Sequence, residues 1–137
     1  MEFKYSIEGG NFSKAGNASS QVKKVLKQLN LEMRLIKRIV VAIYEAEVNV
    51  VAHAEKGTMQ VNIDADKITV LLRDEGAGIE NIEKAMQEGY STASQQVREM
   101  GFGAGMGLPN IRRNADKLDI RSTPGEGTEL DIEIYFN

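Results

Sequence analysis

Glu45 and Asn49 stand four residues apart in a stretch with helical periodicity. On a helix this spacing puts both on one face, with Cβ atoms about 5–6 Å from each other. The carboxylate can take a proton from a hydroxyl nucleophile or a water. The amide oxygen suits a hard cation such as Mg²⁺, which prefers oxygen ligands and keeps several waters. Val41, Val48 and Ala52 are apolar, so the pair borders a core-facing surface. Further along, Asp74 opens the run DEGAG, Asp74 to Gly78. An ionised Asp only accepts hydrogen bonds. Adenine offers an exocyclic amine where guanine offers a carbonyl, so a buried Asp74 would select adenine. Gly76 and Gly78 would let backbone approach the base without a Cβ in the way. Gly101, Gly103, Gly105 and Gly107 alternate just before a probable helix start. Glycine backbone N–H groups can converge on phosphate oxygens, and a helix N-terminus adds its positive dipole end. Gly125-Glu126-Gly127-Thr128 lies between two strand-like runs. Taken singly, these segments also read as a helix boundary, a strand-to-loop turn, a flexible linker and a hairpin. Their order and spacing together make ATP binding the leading reading.

Other nucleotide signatures are missing. No G-x-x-x-x-G-K-[ST] occurs, no G-x-G-x-x-G follows a strand, and neither H-R-D nor D-F-G is found. The net charge of −3 supplies no basic stripe, which argues against nucleic acid as a partner. No apolar run approaches the roughly 18–20 residues that span a bilayer, and the N-terminus lacks a signal-peptide core. With no cysteine, disulfides and thiolate metal sites are excluded, and the expected compartment is the cytoplasm. The lone histidine, His53, is read as a helix-end residue.

Alternation and helical spacing predict the elements that must position these residues. Phe3, Tyr5 and Ile7 alternate with polar residues as a short strand. A helix lies between Ser13 and Leu29, and another runs from Leu31 to about Ala54 with Asn30 as N-cap. Strands over 59–65 and 68–72 follow, joined by a turn at Asp66-Lys67. A short helix over Ile79–Met86 is closed by Gly89. Residues 90–104 are irregular, and a helix from about Met106 to Ala115 precedes strands at Leu118–Ile120 and Leu130–Phe136. Strands alternating this cleanly bury one face only, so the sheet should be mostly antiparallel. The expected fold is an α/β two-layer sandwich: about five strands in a mixed, mostly antiparallel sheet, covered on one face by three helices. One domain is expected over residues 1–137.

These segments together resemble the GHKL superfamily, which includes gyrase, Hsp-type chaperone, histidine kinase and MutL ATPases. Glu45 and Asn49 match its N box, and Asp74, Gly76 and Gly78 its first glycine box. Gly103 through Leu108, with Gly105, Met106 and Gly107, match the second box, and Gly125 through Thr128 the third. The resemblance implies the Bergerat fold, with ATP and Mg²⁺ held under a lid at residues 90–104. It implies that Glu45 is the base, Asn49 the Mg²⁺ ligand and Asp74 the adenine partner, with Thr128 supporting it through water. Gly101, Gly103, Gly105 and Gly107 would contact phosphates beside Met106 and Leu108. Arg98, in the lid, is a candidate for the γ-phosphate.

Within the superfamily, neither a phospho-acceptor hairpin before Glu45 nor a transducer domain after the ATP site is expected. What remains is similar to the small bacterial serine/threonine kinases that act as anti-sigma factors or stress-signalling switches. The runs GYSTA and GFGAGMGLPNI look closer to the switch kinases, and Ala93 stands where anti-sigma members often carry lysine. The implied partner is a STAS-type antagonist or another small regulatory protein. The alternative is a non-catalytic, ATP-dependent module that sequesters a regulator such as a sigma factor. The strand at Phe3–Ile7 is a candidate edge for a homodimer.

Overall fold

The computed structural model describes residues 1–79, 81–87 and 107–137. Strands β1 (Glu2–Glu8), β2 (Ala54–Ile63), β3 (Lys67–Gly76), β4 (Lys117–Thr123) and β5 (Gly127–Tyr135) form one sheet in the order β1-β2-β3-β5-β4. All of its pairings are antiparallel, in line with the mostly antiparallel sheet expected, and no parallel pair is found among the described residues. The helices are α1 (Asn17–Gln28), α2 (Met33–His53), the one-turn α3 (Ile82–Ala85) and α4 (Gly107–Asn114), with a 3₁₀ turn at Phe12–Lys14.

Period-two patterning decides which face is covered. In β5, Thr128, Leu130, Ile132 and Ile134 are buried, and Glu129, Asp131, Glu133 and Tyr135 face outward. Helix α2 lies on the buried face, against β1, β2 and β3, and packs on α1 and α4. Its stripe of Ile39, Ala42, Ile43, Ala46 and Val50 is fully buried and meets Met59, Val61, Val70 and Leu72 in one core. Each of the larger side chains among them (Ile, Val, Leu, Met) contributes about 1.5–3 kcal/mol on leaving water. With 21 residues, α2 is long enough to cross the sheet at about 1.5 Å per residue. The outer face carries exposed ion pairs, such as Arg121 and Arg73 with Glu129, worth about 0–1 kcal/mol each.

Two local expectations are corrected. Asn30 is not the N-cap of α2; it sits at φ 57 just after α1, and its N–H bonds the Lys27 carbonyl. Asn tolerates the left-handed region better than other non-glycine residues, so it ends a helix here, and Glu32 occupies the N-cap position of α2 without a side-chain cap bond. The β2–β3 turn spans residues 64–66, and Lys67 already belongs to β3. The Asp64 carboxylate accepts from the N–H groups of Asp66 (2.8 Å) and Lys67 (2.9 Å), replacing the missing glycine. Strands β2 and β3 also run further than alternation suggested. Gly57 lies within β2, and Asp74 lies inside β3 rather than at its end. The edge position expected for the first strand is found in β1.

Candidate functional site

The sheet builds one corner of the site. Asp74 is on the helix-facing side of β3, and Thr128 occupies the same side of neighbouring β5. The Thr128 N–H donates to Asp74 Oδ1 at 3.0 Å. This contact needs glycine before Thr128: Gly127 has φ 149, and a Cβ there would collide with the Asp74 carbonyl. Burial raises the Asp74 pKa, and the Thr128 N–H partly offsets it. Asp74 Oδ2 receives no hydrogen bond from the described residues, so acceptor capacity remains for a ligand donor.

The hairpin that carries Thr128 is laced to the first glycine box. Gly125 N–H bonds the Ala77 carbonyl at 2.8 Å, and Ile79 N–H donates to Ser122 Oγ at 2.7 Å. Gly78, at φ 76, lies so close to Thr123 and Pro124 that a Cβ would strike their backbone. Gly76 approaches Ala54 where β2 begins.

Helices build the opposite corner. Glu45 and Asn49 are both half-buried on α2. Gly107, the first residue of α4, faces Glu45: a Cβ there would lie 3.7 Å from Glu45 Oε2. One turn along α4, Asn110 Nδ2 donates to Glu45 Oε1 at 3.3 Å, and Arg113 donates to Asn110 Oδ1 at 3.3 Å. Burial raises the Glu45 pKa, and the Asn110 amide lowers it by a smaller amount. A carboxylate whose pKa is raised by burial is better suited to accepting a proton than a fully solvated one. The Asn49 side chain forms no hydrogen bond with the described residues, which leaves its amide oxygen for a ligand. No cluster of three His, Cys, Asp or Glu able to hold a metal occurs among the described residues. The Asn49 amide oxygen is the kind of neutral donor that would suit a Mg²⁺ held mainly by phosphates and water.

Leu108 is 7% exposed and anchors α4 in the core with Ile111, so packing accounts for its position. Arg98, Gly101, Gly103, Gly105 and Met106 lie outside the described residues, as does the lid expected at 90–104. His53 is the last residue of α2, as expected, and burial lowers its pKa. A cavity of about 620 Å³ opens beyond it, lined by Ala52, His53, Gly76, Ala77, Gly125 and Glu126 among others. The cavity touches the first and third glycine boxes, but Glu45, Asn49, Asp74 and Thr128 do not line it.

Three site-supporting residues escaped sequence reasoning. Asn110 and Ser122 are described above. The third is Glu47, only 2% exposed, whose carboxylate accepts from the N–H groups of Ala18 (3.0 Å) and Ser19 (3.2 Å). It caps the N-terminus of α1, which has no side-chain cap of its own, and thereby ties α1 to the helix bearing Glu45 and Asn49. A glutamate among apolar α2 positions was the available signal.

Residues 12–134 match the family described as the histidine kinase-like ATPase domain. The chain is 35% identical to a protein named anti-sigma F factor from Thermoanaerobacter sp. (strain X514), covering 99% of this chain and 97% of the relative. An anti-sigma F factor of Clostridium acetobutylicum is 30% identical over 99% of this chain and 93% of its own length. The serine/threonine-protein kinase RsbT of Bacillus subtilis is 35% identical over 68% of this chain and 67% of its own length. Among the described residues, no helix is long and apolar enough to cross a membrane.

Proposed function

The chain belongs to the histidine kinase-like ATPase family, and from that premise we propose that it is an ATP-dependent serine/threonine protein kinase acting on a STAS-type antagonist in a sigma-factor or stress-signalling circuit. The observation that carries this reading is Glu45: a half-buried carboxylate with a raised pKa, oriented by Asn110 and set against the first residue of α4. In this reading Asp74 accepts from the adenine amine, and the glycines leading into α4 receive the phosphates. Glu45 takes the proton of the substrate hydroxyl as its oxygen bonds to the γ-phosphorus and the bond to ADP breaks. Mg²⁺, when bound, offsets the phosphate charge, with Asn49 as ligand. Such a transfer asks mainly for positioning and charge neutralisation. Strand β1, free at the sheet edge, is the surface through which a homodimer would extend the sheet.

The test is incubation with γ-labelled ATP, Mg²⁺ and each STAS-domain protein of the same genome. Label should appear on serine or threonine of one of them. Glu45→Gln should slow transfer by about 10²–10⁴-fold while MgATP affinity changes little. Full activity in that variant would remove Glu45 from the base role.

A second reading is favoured by the end-to-end similarity to proteins named anti-sigma F factor. Here the ATP-bound form sequesters a sigma factor without phosphorylating it. Capture of a sigma factor that proceeds equally with a non-hydrolysable ATP analogue, and leaves no phosphoprotein, would support it.

A further inference from the structure

Ser122 sits directly across from Thr128 in the β4–β5 ladder, on the side of the sheet that carries Asp74. Its hydroxyl has three neighbours. It accepts from Ile79 N–H at 2.7 Å, is placed to donate to the Gly127 carbonyl at 3.1 Å, and lies 3.0 Å from Thr128 Oγ1, where either hydroxyl can be the donor. A serine hydroxyl owns one proton, so two arrangements exist. If the Ser122 proton goes to the Gly127 carbonyl, Thr128 donates its own proton back to Ser122 and shows the cleft only lone pairs. If the Ser122 proton goes to Thr128 Oγ1, the Thr128 proton is released for a ligand.

Resting on the adenine reading of Asp74, we infer that Ser122 is a specificity-determining positioning residue: it donates to Thr128 so that the Thr128 hydroxyl donates toward adenine N1, directly or through one water. Asp74 can only accept, which matches the adenine amine. The neighbouring N1 is an acceptor and needs a donor, and the second arrangement supplies it. Without Ser122, the Thr128 hydroxyl loses the one side-chain partner that sets which way its proton points, so donation to N1 is no longer enforced. Ser122 thus joins the loop of the first glycine box, through Ile79, to the base-reading threonine of the third.

The test compares MgATP with its 1-deaza analogue, in which N1 is replaced by C–H, by calorimetric titration. The wild-type protein should prefer ATP by about 3–10-fold, the range for one neutral hydrogen bond. In Ser122→Ala the ATP affinity should fall by a similar factor, and the two nucleotides should bind within about 2-fold. Ser122→Thr keeps the hydroxyl and should restore the preference. A purely structural role would weaken both nucleotides alike, and a preserved preference in Ser122→Ala overturns the inference while leaving the adenine reading intact. Should Ser122→Ala fail to fold, Thr128→Val applies the same test from the other hydroxyl, and a preference retained there is equally fatal. Absence of ATP binding by the wild-type protein overturns the adenine reading and this inference with it.

Discussion

The two corners of the cleft are built differently. At the sheet corner, Asp74, Thr128, Ser122 and the glycine backbone bond to one another across adjacent strands, each contact short and made by groups of fixed register. At the helix corner, Glu45 has one long amide contact, and the Asn49 side chain has no hydrogen bond with any described residue. The first corner is preorganised by strand pairing. The second awaits charge and ligand atoms. A base is rigid and always the same shape, so a prebuilt corner suits it; a reacting phosphate and an incoming hydroxyl require groups with bonding capacity in reserve.

Substitutions can break or sharpen that contrast. The largest loss at the sheet corner is expected from Asp74→Asn, which turns an obligatory acceptor into a group that also donates. MgATP affinity should fall by about 10–100-fold, the range for a hydrogen bond to a charged partner, measured by calorimetry. An unchanged affinity would mean the sheet corner does not read the base.

At the helix corner, Asn110→Leu should act mainly through pH. The amide lowers the Glu45 pKa, so its removal raises that pKa further. The acidic limb of the phosphoryl-transfer profile should then shift to higher pH, so the rate loss should be largest on the acidic side and shrink as pH rises. A uniform loss at every pH would leave Asn110 with a packing role only.

The smallest effect is on stability. Glu45 has a folded-state pKa above its unfolded value, so its ionised form is disfavoured in the fold. Its contribution to stability is fully present below the unfolded carboxylate range and is lost as pH rises through the folded value. Glu45→Gln removes that loss. It should melt above the wild-type protein near pH 7, by on the order of a degree because the group is half-exposed, and the difference should vanish below about pH 4. A lower melting temperature near neutral pH would contradict the burial argument.

Much of the framework was legible because it is periodic or compact in sequence. Alternation in β5 and the helical stripe of α2 fixed the layers, and the glycine-flanked acids marked the sheet corner. The polar bracing was not legible. Glu47 meets Ala18 and Ser19 across 28–29 residues, and Asn110 meets Glu45 across 65. Such contacts depend on how two helices rotate against each other, which local spacing does not encode. Asn30 misled for a different reason: asparagine serves both as an N-cap and in the left-handed turn that ends a helix, and only the backbone angle separates the two.

The central claim is that Asp74 selects adenine in a cleft built for ATP. Titration of the wild-type protein with MgATP and, in parallel, MgGTP tests it most directly. The proposed adenine role of Asp74 predicts ATP binding at least about 100-fold tighter than GTP, because guanine would place a carbonyl against a carboxylate and leave polar groups unpaired. Equal affinities, or no heat with either nucleotide at millimolar concentration, would contradict it.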